Sequence, residues 1–221
     1  GVLLIDDQFA PLSEKILRAV EGISTNPLRF VLNTHWHRDH TGGNEAFGKR
    51  APILAHTNVR RRLMTGGVLS LLGDTIEPVE SGALPLLTYE EGVALHMNGE
   101  TIDVIHLPRA HTDGDSIVIF RGSRVAHVGD VMFSGMFPFV DVDSGGSVQG
   151  LLDHVGWLLR ELPGDARIIP GHGPLSGVLD LQRYREMLVE TTGLIRQRGE
   201  AGRTEDEAVA DIVQLLAFLD H

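Results

Sequence analysis

Residues 33–44 read NTHWHRDHTGGN, which puts His35, His37, Asp39 and His40 within six positions. Imidazole nitrogen and carboxylate oxygen are donors that Zn²⁺ accepts. In extended backbone, residues i and i+2 point to the same side. His35 and His37 can therefore reach one ion, while Trp36 and Arg38 alternate away and are expected to pack or face solvent. Asp39 and His40 come where Thr41-Gly42-Gly43 lets the chain turn into a helix. Three more donors end apolar runs beside glycine or proline: His111 in PRAHTDGDS, Asp130 in AHVGD and His172 in IIPGHGP. One such coincidence means little, but the same arrangement at four strand ends points to a site for two ions side by side.

The elements that must bring these donors together follow from periodicity. Residues 2–6, 28–34 and 52–55 read as short apolar strands, and 11–23, 43–50 and 56–64 as helices, so the first third alternates strand and helix in a layered α/β design. Residues 65–85 read as a long loop with one helical turn. Strands are expected over 93–97, 100–108, 116–120 and 124–130, with hairpin signals at Asn98-Gly99 and Arg121-Gly122. A helix over 147–162, a strand over 166–169 ending in a Gly-rich turn, and helices over 179–199 and 204–219 complete the chain. Thr204 and Glu207 form a capping-box pair at the start of the last helix. The ligands then fall at the carboxyl ends of strands, where open α/β sheets place their sites.

Composition narrows the chemistry. The chain of 221 residues has no cysteine, which excludes thiolate catalysis, disulfides and any zinc site with a Cys ligand. A net charge of −11 argues against the nucleic-acid phosphate backbone as a partner. No apolar run approaches the roughly 18 residues of a membrane span, so no membrane insertion is expected. The run Arg60-Arg61-Arg62 reads as a solvated helix face rather than an anion site. His56, His96, His127, His154 and His221 read as surface or satisfied core residues. His106 lies at a strand end, five residues before His111, and is the one further histidine that can reach toward the pocket.

HWHRDH resembles the HxHxDH signature of the metallo-β-lactamase superfamily, and His111, Asp130 and His172 occur in that family's order and context. LLIDDQF before the first helix is also similar, so the resemblance spans residues 2–177. It implies an αββα sandwich of two mixed β-sheets flanked by helices. The expected organisation is a single domain over 1–221 with a helical C-terminal segment, 178–221, lacking the pair of strands that in relatives precedes the segment like 2–6. A bare edge recruits partners, which makes a homodimer one way to cover it. The resemblance also implies two Zn²⁺ ions: His35, His37 and His111 on one, Asp39, His40 and His172 on the other, and Asp130 bridging them. Asp39 would orient the nucleophile.

The implied activity is hydrolysis of a small-molecule carbonyl compound, first of all a β-lactam, with a lactone or thioester as alternatives. A mononuclear iron sulfur dioxygenase is the alternative from another class. The second-zinc site with a Cys ligand is excluded, and Phe133 stands where enzymes with that site carry a Lys. A glutathione thioesterase is disfavoured by the short segment after His172. In VMFSGMFPFVD, residues 131–141, Phe133, Met136 and Phe137 are candidates for an apolar substrate wall, with loop 65–85 as the second wall. A periplasmic or secreted location is expected, with the cytoplasm as the alternative.

Overall fold

The computed structural model describes residues 1–210. Its first half holds β1 (Val2–Ile5), α1 (Ser13–Ile23), β2 (Leu28–Leu32), α2 (Arg38–Thr41), α3 (Asn44–Gly48), β3 (Ile53–His56), α4 (Thr57–Thr65), β4 (Gly67–Leu69), β5 (Asp74–Ile76) and β6 (Leu87–Tyr89). The second half holds β7 (Gly92–Met97), β8 (Glu100–His106), β9 (Ser116–Phe120), β10 (Val125–Phe133), α5 (Val148–Glu161), β11 (Arg167–His172), β12 (Ser176–Gly177) and α6 (Val178–Glu200). No helix among the described residues is long and apolar enough to cross a membrane.

The architecture is the expected αββα sandwich. Strands β1-β2-β3-β6 form one sheet, and β12-β11-β10-β9-β8-β7 form the other. The second sheet is mixed: β10 and β11 run parallel and the other pairs antiparallel. The first sheet was expected to be mixed too, but it is parallel throughout. Each of its strands is joined to the next by a crossover carrying helical turns, and crossovers return the chain in the same direction.

Three apolar layers hold the sandwich. Leu32, Leu54, Ile102, Val104 and Val118 are buried between the sheets. Val31, Phe47 and Ile53 pack the outer face of the first sheet against Ile16 and Leu17 of α1. Ile117, Ile119, Ala126, Val128 and Ile168 pack the outer face of the second against Leu151, Val155 and Leu158 of α5 and Leu181 and Leu188 of α6. The alternation of strand side chains explains this split: Val118 faces the first sheet, and its neighbours Ile117 and Ile119 face the helices.

Two features of the first half differ from the expectation. Residues 65–85 contain the β4–β5 hairpin as well as short 3₁₀ turns, and β6 follows at 87–89. All three strands have only three residues, too few to show a period. The Asn98-Gly99 hairpin is present, with both residues at positive φ and Met97 opposite Glu100. Residues 205–210 are helical, and Thr204 and Glu207 cap each other reciprocally (Thr204 N–H to Oε2, 3.0 Å; Glu207 N–H to Oγ1, 3.4 Å). The rest of the helix expected to 219, and His221, lie outside the described residues.

Candidate metal centre

The donor-bearing segments converge at one edge of the sandwich. Asp6 follows β1, and His35 and His37 follow β2. Asp39 and His40 open α2, His111 lies between β8 and β9, Asp130 is in β10, and His172 ends β11. The sheets are tied together beside the site by the Ser116 N–H, which donates to the Thr34 carbonyl at 2.8 Å.

All seven expected donors meet, in two groups. His35, His37, His111 and Asp130 form one, and Asp39, His40 and His172 the other, each with its ligand atoms within 4.8 Å of one another. In the first group, Nδ1 of His37 lies 3.1 Å from Nε2 of His35 and 2.9 Å from Nε2 of His111. In the second, Oδ2 of Asp39 lies 3.2 Å from Nε2 of His40 and 3.1 Å from Nε2 of His172. The Asp130 carboxylate touches both. Its Oδ2 is 3.4 Å from Nε2 of His111 and 3.4 Å from Nε2 of His172, and its Oδ1 is 3.2 Å from Nε2 of His40.

The far sides of the rings show what the centre holds. Nδ1 of His111 donates to the Phe139 carbonyl at 2.7 Å, and Nε2 of His37 donates to Asp141 Oδ2 at 2.9 Å. Nδ1 of His40 donates to Asp6 Oδ2 at 2.8 Å. The Thr34 hydroxyl gives its proton to Asp6 Oδ2 (2.8 Å), so at 3.1 Å it accepts from Nδ1 of His35. Each neutral ring has one proton, and every one of these is used outward. Four lone pairs therefore face the centre with no hydrogen between them. Nε2 of His40 and Oδ1 of Asp130 are buried there without a hydrogen-bond partner. Converging buried acceptors repel unless a cation sits among them, so the residues fit metal ions.

The electrostatics agree. Burial holds His35 well below the usual imidazole range and lowers His37, which keeps both as neutral ligands. Burial acts the same way on His40, but the carboxylates of Asp6, Asp130 and Asp39 outweigh it and raise His40 well above that range, so with no cation among these groups its Nε2 takes up a proton where a metal ion would otherwise sit. Burial also opposes the charge on Asp130, but His35, His40 and His111 outweigh it and hold Asp130 well below the usual carboxylate range. The centre thus calls for positive charge beside its carboxylates.

A model of the metallo-beta-lactamase superfamily matches residues 7–172. The chain belongs to that superfamily. It is 28% identical over 178 residues to the hydroxyacylglutathione hydrolase GloC of Haemophilus influenzae, covering 80% of this chain and 82% of that one. It is 29% identical over 195 residues to the probable metallo-hydrolase YqgX of Bacillus subtilis, covering 84% and 90%. A metallo-beta-lactamase structure from Pontibacter korlensis superposes with a TM-score of 0.67 at 18% identity, over 86% of this chain and 82% of the other, which shows the fold alone. As a member of this superfamily, with its His/Asp groups in place, the chain is an enzyme, a metallo-hydrolase.

The centre opens on a cavity of about 300 Å³ lined by His37, Asp39, Asp130 and His172 on the metal side. Phe9, Leu69, Leu72, Ile76, Phe133 and Phe139 supply most of the remaining wall. Phe133 lines the cavity, stacked on His172 with centroids 5.0 Å apart, and also packs in the core beneath α5 and α6. Met136 and Phe137 stand about half-exposed and outside the lining. After β10 the chain turns through Ser134 and Gly135 (φ 77°), and it is Phe139 that comes back to the wall. The β4–β5 hairpin supplies Leu69, Asp74 and Ile76, so segment 65–85 is the second wall.

Arg38 is exposed to solvent, as expected, but it is not turned away from the site: it also lines the cavity. The two-residue alternation stops at His37, because α2 begins at Arg38. Trp36, still in the extended stretch, is buried against Ala55, Val59 and Leu63 as expected. The arginine run is solvated at Arg61, as expected, but all three side chains are engaged: Arg62 clasps Asp113 at 2.8 Å through Nε and Nη2, Arg61 reaches the same carboxylate, and Arg60 donates to the Pro85 carbonyl. His106 does not reach the cavity. It stacks on His56 at 3.6 Å and donates from Nδ1 to the Asp115 carbonyl.

Asp6 and Asp141 hold rings of the donor groups, and the pattern of spacings did not show them. Asp6 is buried just past β1 with φ of 56°, and this turn aims its carboxylate at Thr34 and His40. Asp141 is eleven positions beyond Asp130 in an irregular loop. An acid after a strand and an unusual DxDSGG loop were the only signals available.

Proposed function

We propose that this chain is a dinuclear zinc hydrolase that cleaves an ester or thioester carbonyl. The single observation behind this reading is the Asp130 carboxylate, which faces both donor groups at once beside an open cavity. His35, His37 and His111 would hold one Zn²⁺, Asp39, His40 and His172 the other, and Asp130 both. Bound Zn²⁺ supplies Lewis acidity, lowering the pKa of water toward about 7 and polarising a carbonyl. Imidazole and carboxylate donors without any thiolate suit that ion in a catalytic role.

The residues of the chain do the rest. Asp39 is the most exposed of the ligands after His172, and it stands on the cavity floor. Burial would raise its pKa, but its hydrogen bond and charge interaction with His40 outweigh this, so it stays ionised at neutral pH. In that state it accepts a hydrogen bond from the attacking water and orients it toward the carbonyl. Asp6 and Asp141 lock the rings of His40 and His37, so the floor is preorganised. The apolar wall excludes water and seats the body of the substrate.

Ester and thioester cleavage comes before β-lactam cleavage here because the sequence relatives that match most of the chain include a hydrolase named for a thioester-type substrate. The test is a panel of thioesters, aryl esters, lactones and β-lactams on zinc-loaded protein. The expected result is turnover of esters or thioesters well above β-lactams. Iron in place of zinc with no hydrolysis of the panel would overturn the reading in favour of the dioxygenase class.

A further inference from the structure

Among the described residues that line the metal cavity, Arg38 is the only Lys or Arg. Its Nη2 donates to both oxygens of Asp74, at 3.1 and 3.0 Å, and to the Thr75 carbonyl. Nε and Nη1 have no protein partner among the described residues, so three N–H donors stay open. Asp74 belongs to the β4–β5 hairpin, which is anchored at both ends: Ile76 is buried at its root, Leu69 is buried near its tip, and the Ser70 N–H in the turn donates to Asp143 at 2.7 Å. The guanidinium is thus held from one side by an anchored element and left free on the other.

Arg38, Phe9 and Ile76 also form the wall between the metal cavity and a second cavity of about 410 Å³. That second cavity is lined by Glu45, Glu77 and Glu80. A negatively charged group in the metal cavity can pair with Arg38, and acidic residues lie beyond it. Everything else on the wall of the metal cavity, outside the ligands and Asp74, is apolar.

We infer that Arg38 is the specificity-determining residue and that the substrate carries a single carboxylate on an apolar body, set back from the scissile carbonyl. The inference rests on the hydrolytic reading of the site for its reaction, but not for its recognition step. An Arg held by one nitrogen presents a planar array of donors suited to a carboxylate. The ion pair with Asp74 is itself exposed on both sides, and such pairs contribute little stability. A role in holding the hairpin alone would therefore be a weak one. Glutathione, with two carboxylates and a charged amine, does not match a wall with one cation.

The test compares aryl esters of 4-carboxyphenylacetic acid and of its 4-carbamoyl analogue, alike except for the negative charge. The zinc-loaded protein should favour the carboxylate ester by about tenfold or more in kcat/KM, carried by KM, and Arg38→Met should bring the ratio to about one. Asp74→Asn leaves Arg38 charged and should keep the preference. Equal losses for both esters in Arg38→Met and Asp74→Asn would overturn the inference, since that is what a hairpin latch gives. Recognition is read separately by calorimetry with 4-carboxyphenylacetamide and 4-carbamoylphenylacetamide, which lack the ester, on zinc-free protein. Tighter binding of the carboxylate, lost in Arg38→Met, supports the inference even if neither ester is cleaved, an outcome that sinks only the ester-hydrolysis reading. Equal binding of the two amides by the unaltered protein counts against Arg38.

Discussion

The carboxylate of Asp6 stands 2.8 Å from Nδ1 of His40, and through the Thr34 hydroxyl it also fixes the ring of His35. One outer residue therefore sets the tautomers of a ligand in each donor group. Asp6→Asn presents an amide NH₂ that cannot accept: in the place of Oδ2 it faces Nδ1 of His40 and the Thr34 hydroxyl, and in the place of Oδ1 it faces the Thr34 N–H. Zinc affinity should fall roughly 10- to 100-fold for both ions, measured by competition with a chromophoric chelator. Unchanged affinity would show that the rings are oriented by something else.

Asp141 acts on one ion alone. Its carboxylate takes the Nε2 proton of His37, and its Oδ1 accepts from the Ser144 N–H at 3.0 Å. Asp141→Ala should weaken the ion held by His35, His37 and His111 by a similar factor, with the other affected less. Two-step zinc titrations of the Asp6 and Asp141 variants should therefore differ in which step moves.

A close backbone approach positions the bridging group. A Cβ at Gly171 would overlap Oδ1 of Asp130. Gly171→Ala should displace that carboxylate and lower metal content below two per chain, while far-UV circular dichroism stays native. Full metal content in a folded Gly171→Ala protein would mean that Asp130 is not needed in its present place.

Asp7 gives a pH prediction. It is fully buried, and burial raises its pKa from 3.8 to about 8, against the opposing hydrogen bond from the Gly43 N–H. The folded chain then holds a proton that the unfolded chain releases above pH 3.8. The contribution of this group to stability is complete below that pH and is lost as pH rises through about 8, with a slope of up to about 1.4 kcal/mol per pH unit. Asp7→Asn keeps an oxygen for Gly43 and has nothing to titrate. Denaturant melts at pH 5.5 and 7.5 should show a smaller pH difference for the variant than for the unaltered chain, and equal differences would refute the assignment.

The ligands were legible because strand ends carry them. HWHRDH is local, and His111, Asp130 and His172 each follow an apolar run. Asp6 and Asp141 were not legible, since an outer carboxylate is recognised by what it touches and neither lies at a fixed spacing from its histidine. Arg38 was missed as a cavity residue because a period of two was carried one residue past the point where α2 begins. The β4–β5 hairpin and β6 were hidden for a simpler reason: three-residue strands have no period, and pairing defines them. The two-sheet architecture was implied by resemblance rather than by any residue pattern, and the strand order was not foreseen.

Zinc titration of metal-free protein, with bound metal and hydrolysis of an aryl ester or thioester followed together, tests the two-ion centre most directly. Two zinc ions should be retained per chain, and Asp130→Asn should lower that number and the activity with it. One tightly held iron, no second metal and no hydrolysis at any zinc level would contradict the account.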